Sequence, residues 1–137
     1  MRDHIAAMRA TLTAAGLTSH YVTVEGSPTY PYVLLSPGIT APHPDAPLCD
    51  SFATLAFDIL VTAVAGTPDG ADIVAARARA ALCPGDRPTT LPVAGRRASI
   101  KWERTETAGV DRDVTIPNTN RNPAFRKDSF RIESTPA

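Results

Sequence analysis

The run from Phe52 to Leu82 constrains the fold more than any other part of the chain: an alternating apolar stretch passes through Gly66-Thr67-Pro68-Asp69-Gly70 straight into a helical pattern. Leu55, Phe57, Ile59, Val61 and Ala63 fall on one face of an extended chain and Thr54, Asp58 and Thr62 on the other, the period of a strand with one covered face. Thr67 is placed to cap the helix that follows and Pro68 to open it, where an amide hydrogen has no intrahelical partner anyway. That helix is expected to turn Ile73, Val74, Ala78, Ala81 and Leu82 inward and Arg77 and Arg79 outward before Pro84-Gly85 ends it. A strand that feeds directly into its own covering helix is scaffold, and it carries no catalytic group.

The rest of the chain arranges itself around this unit. Ile5, Met8, Leu12 and Ala15 recur at helical steps and Gly16 follows as a stop, so residues 3 to 15 read as a first helix with Asp3 near its start. His20 to Val24 and Tyr30 to Ser36 read as two strands of a hairpin joined by Glu25-Gly26-Ser27-Pro28, the second beginning at a sheet edge because of Pro31. Prolines at 37, 42, 44 and 47 turn residues 37 to 50 into an expected long loop. After a connector from Arg87 to Gly95, the stretch from Arg96 to Thr107 alternates again with Ala98, Ile100 and Trp102 on one face. Residues 108 to 124 read as a second long loop, rich in Asn, Asp and Arg, and Phe125 to Glu133 as a last strand. The expected fold is a single α+β domain over residues 1 to 137, a mainly antiparallel sheet of about five strands packed by two helices in the order α-β-β-β-α-β-β.

Bulk properties narrow the class. The chain has 137 residues, 43% of them hydrophobic, enough for one buried core. No apolar run approaches the roughly 20 residues that cross a bilayer, so no membrane partner is expected. The amino-terminal Met-Arg-Asp-His-Ile does not read as a secretory signal, and the chain is expected to act in the cytoplasm where it is made. Formal net charge is zero but unevenly divided: residues 1 to 76 hold two arginines against seven acids, and residues 77 to 137 hold twelve basic residues against seven. Such a split suits a subunit whose acidic flank meets the basic flank of a copy, as well as contact with nucleic acid.

Candidate chemistry is sparse. There is no G-x-S-x-G elbow, and His4, His20 and His43 all lie in the first third of the chain. His43-Pro-Asp45 with Cys49 matches no zinc spacing, and Cys49 and Cys83 read as free thiols. Asp111 and Asp113 with Asn118 and Asn120 offer oxygen ligands of the kind calcium takes, but the glycine and closing glutamate of an EF-hand loop are missing, and a solvated loop is the stronger reading. Asp69 and Asp72 sit in a first helical turn, where the helix dipole alone accounts for them. Arg96, Arg97, Lys101 and Arg104 surround Trp102, yet strict alternation puts Arg97 and Lys101 on one face and Arg96, Trp102 and Arg104 on the other, with Glu103 and Glu106 diluting the field. No catalytic residue, cofactor or metal is expected.

Four stretches together resemble the tail terminator proteins of long-tailed phages of actinobacteria. They are the helix from Arg2 to Leu12, the Tyr30-Pro-Tyr-Val-Leu-Leu strand, the strand-to-helix unit from Phe57 to Ala71, and Asp128-Ser-Phe-Arg-Ile-Glu-Ser near the carboxyl end. The resemblance covers nearly the whole chain in element order and rests on soft apolar patterns. It implies a structural virion protein at the junction of tail and neck: a homohexameric ring that caps the tail tube, ends tube polymerisation and offers a joining surface to the head connector. The partners it implies are further copies of the chain, the major tail tube protein and the connector or stopper, with at most nonspecific contact to DNA in the channel.

The family brings no motif residues to transfer, so the interface is placed by loop composition: His43, Asp45, Arg112, Asp113, Asn118, Asn120 and Arg121 against a neighbouring subunit or partner, and Arg97 and Lys101 lining a channel. A head-completion or stopper protein of the same neck is the nearest alternative. A small ligand-binding or enzymatic α+β domain and a nucleic-acid-binding module are the alternatives from other classes.

Overall fold

The computed structural model describes residues 2–24, 26, 29–42, 54–117 and 119–137, apart from the side chains of 39–42. Two helices pack on one face of a six-stranded sheet of order β1-β2-β3-β6-β5-β4. The elements are α1 (Arg2–Ala14), β1 (Ser19–Tyr21), β2 (Tyr32–Pro42), β3 (Leu55–Ala65), α2 (Pro68–Leu82), β4 (Thr89–Leu91), β5 (Arg96–Val110) and β6 (Ala124–Pro136). The α+β class and the single domain are therefore as the sequence indicates, with one strand more than expected.

The helix ends follow from local chemistry. Thr67 is the N-cap of α2, extended at φ −137° and ψ 155°, and its hydroxyl accepts the Gly70 amide at 3.0 Å. At the end of α1, Gly16 adopts φ +80°, its N–H reaches Thr13 O at 2.9 Å, and the Leu17 N–H reaches back to Leu12 O at 2.9 Å. This pair of bonds satisfies two of the carbonyls that a helix terminus leaves free, and it turns Leu17 into the core. Arg77 of α2 donates to Ala15 O at 3.1 Å, tying the two helices together.

The core lies between the helices and the sheet. Phe57 and Ile59 of β3 stand opposite Ile132 and Phe130 of β6, while Leu35 and Val33 of β2 stand opposite Val61 and Ala63. Met8 and Leu12 of α1 and Val74, Ala75, Ala78 and Leu82 of α2 close over them, while Ala71 packs with Ala65 and Ala124 in a small separate cluster. At about 25 cal/mol per Å² of apolar surface, burial of this kind is the main favourable contribution to folding.

Five expectations change. β1 and β2 run parallel, Ser19 opposite Val33 and Tyr21 opposite Leu35, and are not a hairpin. A tight turn follows β1: Thr23 N–H bonds Tyr21 O at 2.7 Å around Val22 at φ +66°, reversing the chain there instead of opening a hairpin into β2. Apolar alternation fixes that a strand exists, not which way its neighbour runs. β2 also starts between two strands, not at an edge: Pro31 falls just before the ladder, where it removes no ladder bond.

The expected loop at 37–50 is strand as far as Pro42, with a register shift between Pro37 and Thr40 that absorbs the irregularity; residues 43–50 lie outside the described residues. At the other expected loop, 108–124, Ala108, Gly109 and Val110 belong to β5 and Ala124 to β6, leaving a connection of 111–123. Thr89–Leu91, read as connector, is the extra strand β4, paired with Ile100–Ala98.

Candidate assembly surface

The start of β2, the end of β3, the amino end of α2, the end of β5 and the start of β6 all meet at one end of the sheet, in the row Tyr32–Val64–Phe125–Gly109. Apolar side chains that the core does not take gather there. Among the described residues Val110, Val114 and Ile73 are three of the four large hydrophobic residues that stand exposed, and Ile73 is the most open at 61%. The helical pattern places Ile73 inward; instead Ala71, Val74, Ala75 and Ala78 occupy the buried stripe of α2, whose small side chains let the helix sit close on β3 and β6.

Two concavities flank this end and share Tyr30. One, about 350 Å³, opens on the helix-free face between Tyr32, Leu34, Val64, Val114 and Phe125, with Asp111 and Lys127 at its margin. The other, about 310 Å³, lies between Tyr30, Pro31, Gly66, Ile73 and Arg77. Exposed apolar side chains beside concavities with a charged margin are the anatomy of a protein contact.

The 111–123 connection rims this surface, and it is internally bonded. Asp111 N–H reaches Pro123 O at 2.9 Å, the Asp113 amide bonds the Asp111 carboxylate at 3.1 Å, and Ile116 N–H reaches Arg121 O at 2.9 Å. The Asn122 amide donates to both Arg112 O and Val114 O. Arg112, Asp113, Asn120 and Arg121 are brought together on it, all exposed. His43, Asp45 and Asn118 lie outside the described residues. Asn122 escaped the composition-based selection, although a polar side chain flanking a long loop is a common way to hold its carbonyls.

Arg97 and Lys101 do share a face, the helix-free one, opposite Thr135 and Arg131 of β6. Arg104 joins them, against the expectation from alternation, because the register shifts between Trp102 and Arg104 and sets Arg104 opposite Ser129. Acids temper this face. Arg131 lies 3.2 Å from Asp58 and 3.4 Å from Glu133, and Arg104 lies 2.8 Å from Glu106. Burial and the neighbouring Asp58 carboxyl raise the Glu103 pKa. Arg97, Lys101 and Lys127 have no ion-pair partner among the described residues.

One histidine–serine pair forms that sequence distance concealed. His4 Nε2 and Ser134 Oγ lie 2.8 Å apart, but both residues are buried, Arg96 donates to the same hydroxyl at 2.6 Å, and His4 Nδ1 has no partner. Among the described residues no carboxylate orients the imidazole, so this arrangement supports packing, not nucleophilic attack. Burial, with positive charge nearby that includes Arg96, lowers the His4 pKa to about 4. Cys83 is buried with its thiol pKa raised by desolvation, the reverse of an activated cysteine. Among the described residues no three His, Cys, Asp or Glu side chains converge as a metal site.

No family model matches the sequence, and no curated protein matches it. Among solved structures, the chain is similar to a chain of the virion of a native gene transfer agent particle, with a TM-score of 0.63 and 19% identity over 96% of this chain and 90% of that chain. The likeness spans both helices and the sheet, and it shows a shared fold.

Proposed function

We propose that this chain is a non-enzymatic virion protein, a single tail-terminator-like domain that assembles as a homohexameric ring on the tail tube of a long-tailed, phage-like particle. The ring ends tube polymerisation and presents the joining surface for the head connector at the tail–neck junction. The observation that carries this reading is the fold shared with a virion chain over nearly the full length of both. The clustered apolar end with its arginine and aspartate rim supports it, because a ring subunit needs surface that is covered only in the assembly.

In this reading the 111–123 connection meets a neighbouring subunit, the tube or the connector through Arg112, Asp113, Asn120 and Arg121. Arg97 and Lys101, without an ion-pair partner among the described residues of the helix-free face, line the channel and give DNA a weak contact without base readout. Replacing Arg112, Asp113 and Arg121 together by alanine is expected to weaken ring assembly while the monomer keeps its circular dichroism spectrum and melting temperature. Unaltered rings and normal tail length with that triple variant would remove the loop from the interface. DNA retention by the wild-type ring should fall steeply with salt, and tight retention at 1 M salt would contradict the channel assignment.

A further inference from the structure

The hollow between Tyr32, Leu34, Val64 and Phe125 is bordered by two opposite charges, Lys127 and Asp111. Neither has an ion-pair partner among the described residues, and the Asp111 carboxylate accepts only the Asp113 amide, at 3.1 Å. They stand at opposite ends of the apolar lining. Asp111 N–H bonds Pro123 O, and Phe125 falls midway between Pro123 and Lys127. Four residues of extended chain set the two charges about 13 Å apart.

α2 carries a matching pattern on its outer side. Asp69, Ile73 and Arg77 follow one another at steps of four residues, so they form one stripe, and all three are exposed. Asp69 and Arg77 also have no ion-pair partner among the described residues; Arg77 spends one N–H on Ala15 O at 3.1 Å. Asp72 differs, because Arg126 holds it at 3.4 Å. From Asp69 to Arg77 the helix rises about 12 Å, with Ile73 midway.

Stripe and hollow agree in length and in the place of their apolar centre, and their charges are opposite in sign. Laid together, they set Ile73 on Leu34 and Phe125, Asp69 at Lys127 and Arg77 at Asp111. The reverse direction sets Asp69 against Asp111 and Arg77 against Lys127, two like-charge contacts, so the charges fix the direction of docking. A phosphate backbone would meet Asp111 and bring nothing apolar to Leu34 and Phe125.

We propose that the Asp69–Ile73–Arg77 stripe of α2 docks in the Leu34–Phe125 hollow of a second copy of this chain, with Asp69 at Lys127 and Arg77 at Asp111. The stripe lies on the helix side and the hollow on the helix-free side, so the contact is heterologous and each copy keeps one surface free for the next. It rests on the ring reading only in that the series of copies closes.

Mixed cysteine variants test it in a Cys49→Ser background, where the remaining Cys83 is buried. Ile73→Cys and Leu34→Cys proteins, mixed under mild oxidation, are expected to give the disulfide-linked heterodimer in preference to either homodimer. Asp69→Lys or Lys127→Asp alone should weaken self-association about tenfold by sedimentation, and the two in one chain should restore it.

Folded cysteine variants that do not link, or a double reversal that restores nothing, overturn the proposal. So does a Leu34→Cys thiol that tail tubes shield from maleimide and further copies of the chain do not. Tubes capped without the 73–34 disulfide overturn the docking while leaving the capping role intact. A 73–34 disulfide in a protein that caps no tubes leaves the docking standing and removes the capping role.

Discussion

The β3–α2 unit and the far end of β5 with its following connection are opposite uses of the same chain. Along β3, ten residues from Ala56 to Ala65 are at most half-exposed, flanked by β2 and β6 and covered by α2. From Arg104 to Val110, β5 is exposed on every residue and, among the described residues, paired on one side only. The first region is explained completely by its own packing. The second holds an exposed valine, an open strand edge and an organised connection that nothing in the monomer requires. Exposed apolar surface beside an ordered connection is what the proposed subunit role would cover, and that contrast is the physical reason for proposing it.

If the contrast is real, substitutions should divide between the two regions. The largest effect is expected in the core: Phe57→Ala or Phe130→Ala, both fully buried, should destabilise by about 3–5 kcal/mol in chemical denaturation and leave little folded protein. A loss below about 1 kcal/mol would show that the covered face is not packed as described.

The next effect concerns acid. His4 has a folded pKa of about 4, below its ordinary value of 6.5, so the unfolded chain takes up the proton first. Stability should be whole above pH 6.5 and fall progressively as pH drops toward 4, by about 3 kcal/mol from this group. A His4→Gln protein folded at pH 8 should lack this component, and an unchanged acid limb in that variant would assign the loss elsewhere. Removing the α2 cap with Thr67→Ala should cost about 1 kcal/mol, and an unchanged melting temperature would mean that the Gly70 amide finds another acceptor. Smallest of all, Val110→Ser should stay within about 0.5 kcal/mol in the monomer, because its side chain is already in water, yet impair association. A large loss of monomer stability would erase the distinction between the two regions.

The same contrast explains what the sequence disclosed. Burial writes itself as periodicity, so β3, the Thr67–Pro68 junction and the burial of Val74, Ala78 and Leu82 in α2 were readable, as was the separation of Phe130 and Ile132 from Lys127, Ser129 and Arg131. Strand direction leaves no such trace: the parallel β1 depends on Val22 at positive φ, a conformation that its β-branched side chain disfavours. Bulges also leave none, and the one after Trp102 moved Arg104 to the face of Arg97 and Lys101. Ile73 misled because small alanines claimed the inward stripe of α2. Loop composition singled out Arg112, Asp113, Asn120 and Arg121, which stand exposed on the 111–123 connection, whereas Tyr30, Val110 and Ile73 come to one end only through the topology of the sheet.

The central claim is best tested by negative-stain electron microscopy of the purified protein mixed with polymerising tubes of its cognate tail protein. Rings seated on one end of each tube, with growth arrested as the protein is added, are the expected result. Bare tubes that keep lengthening in the presence of folded protein would contradict the capping role.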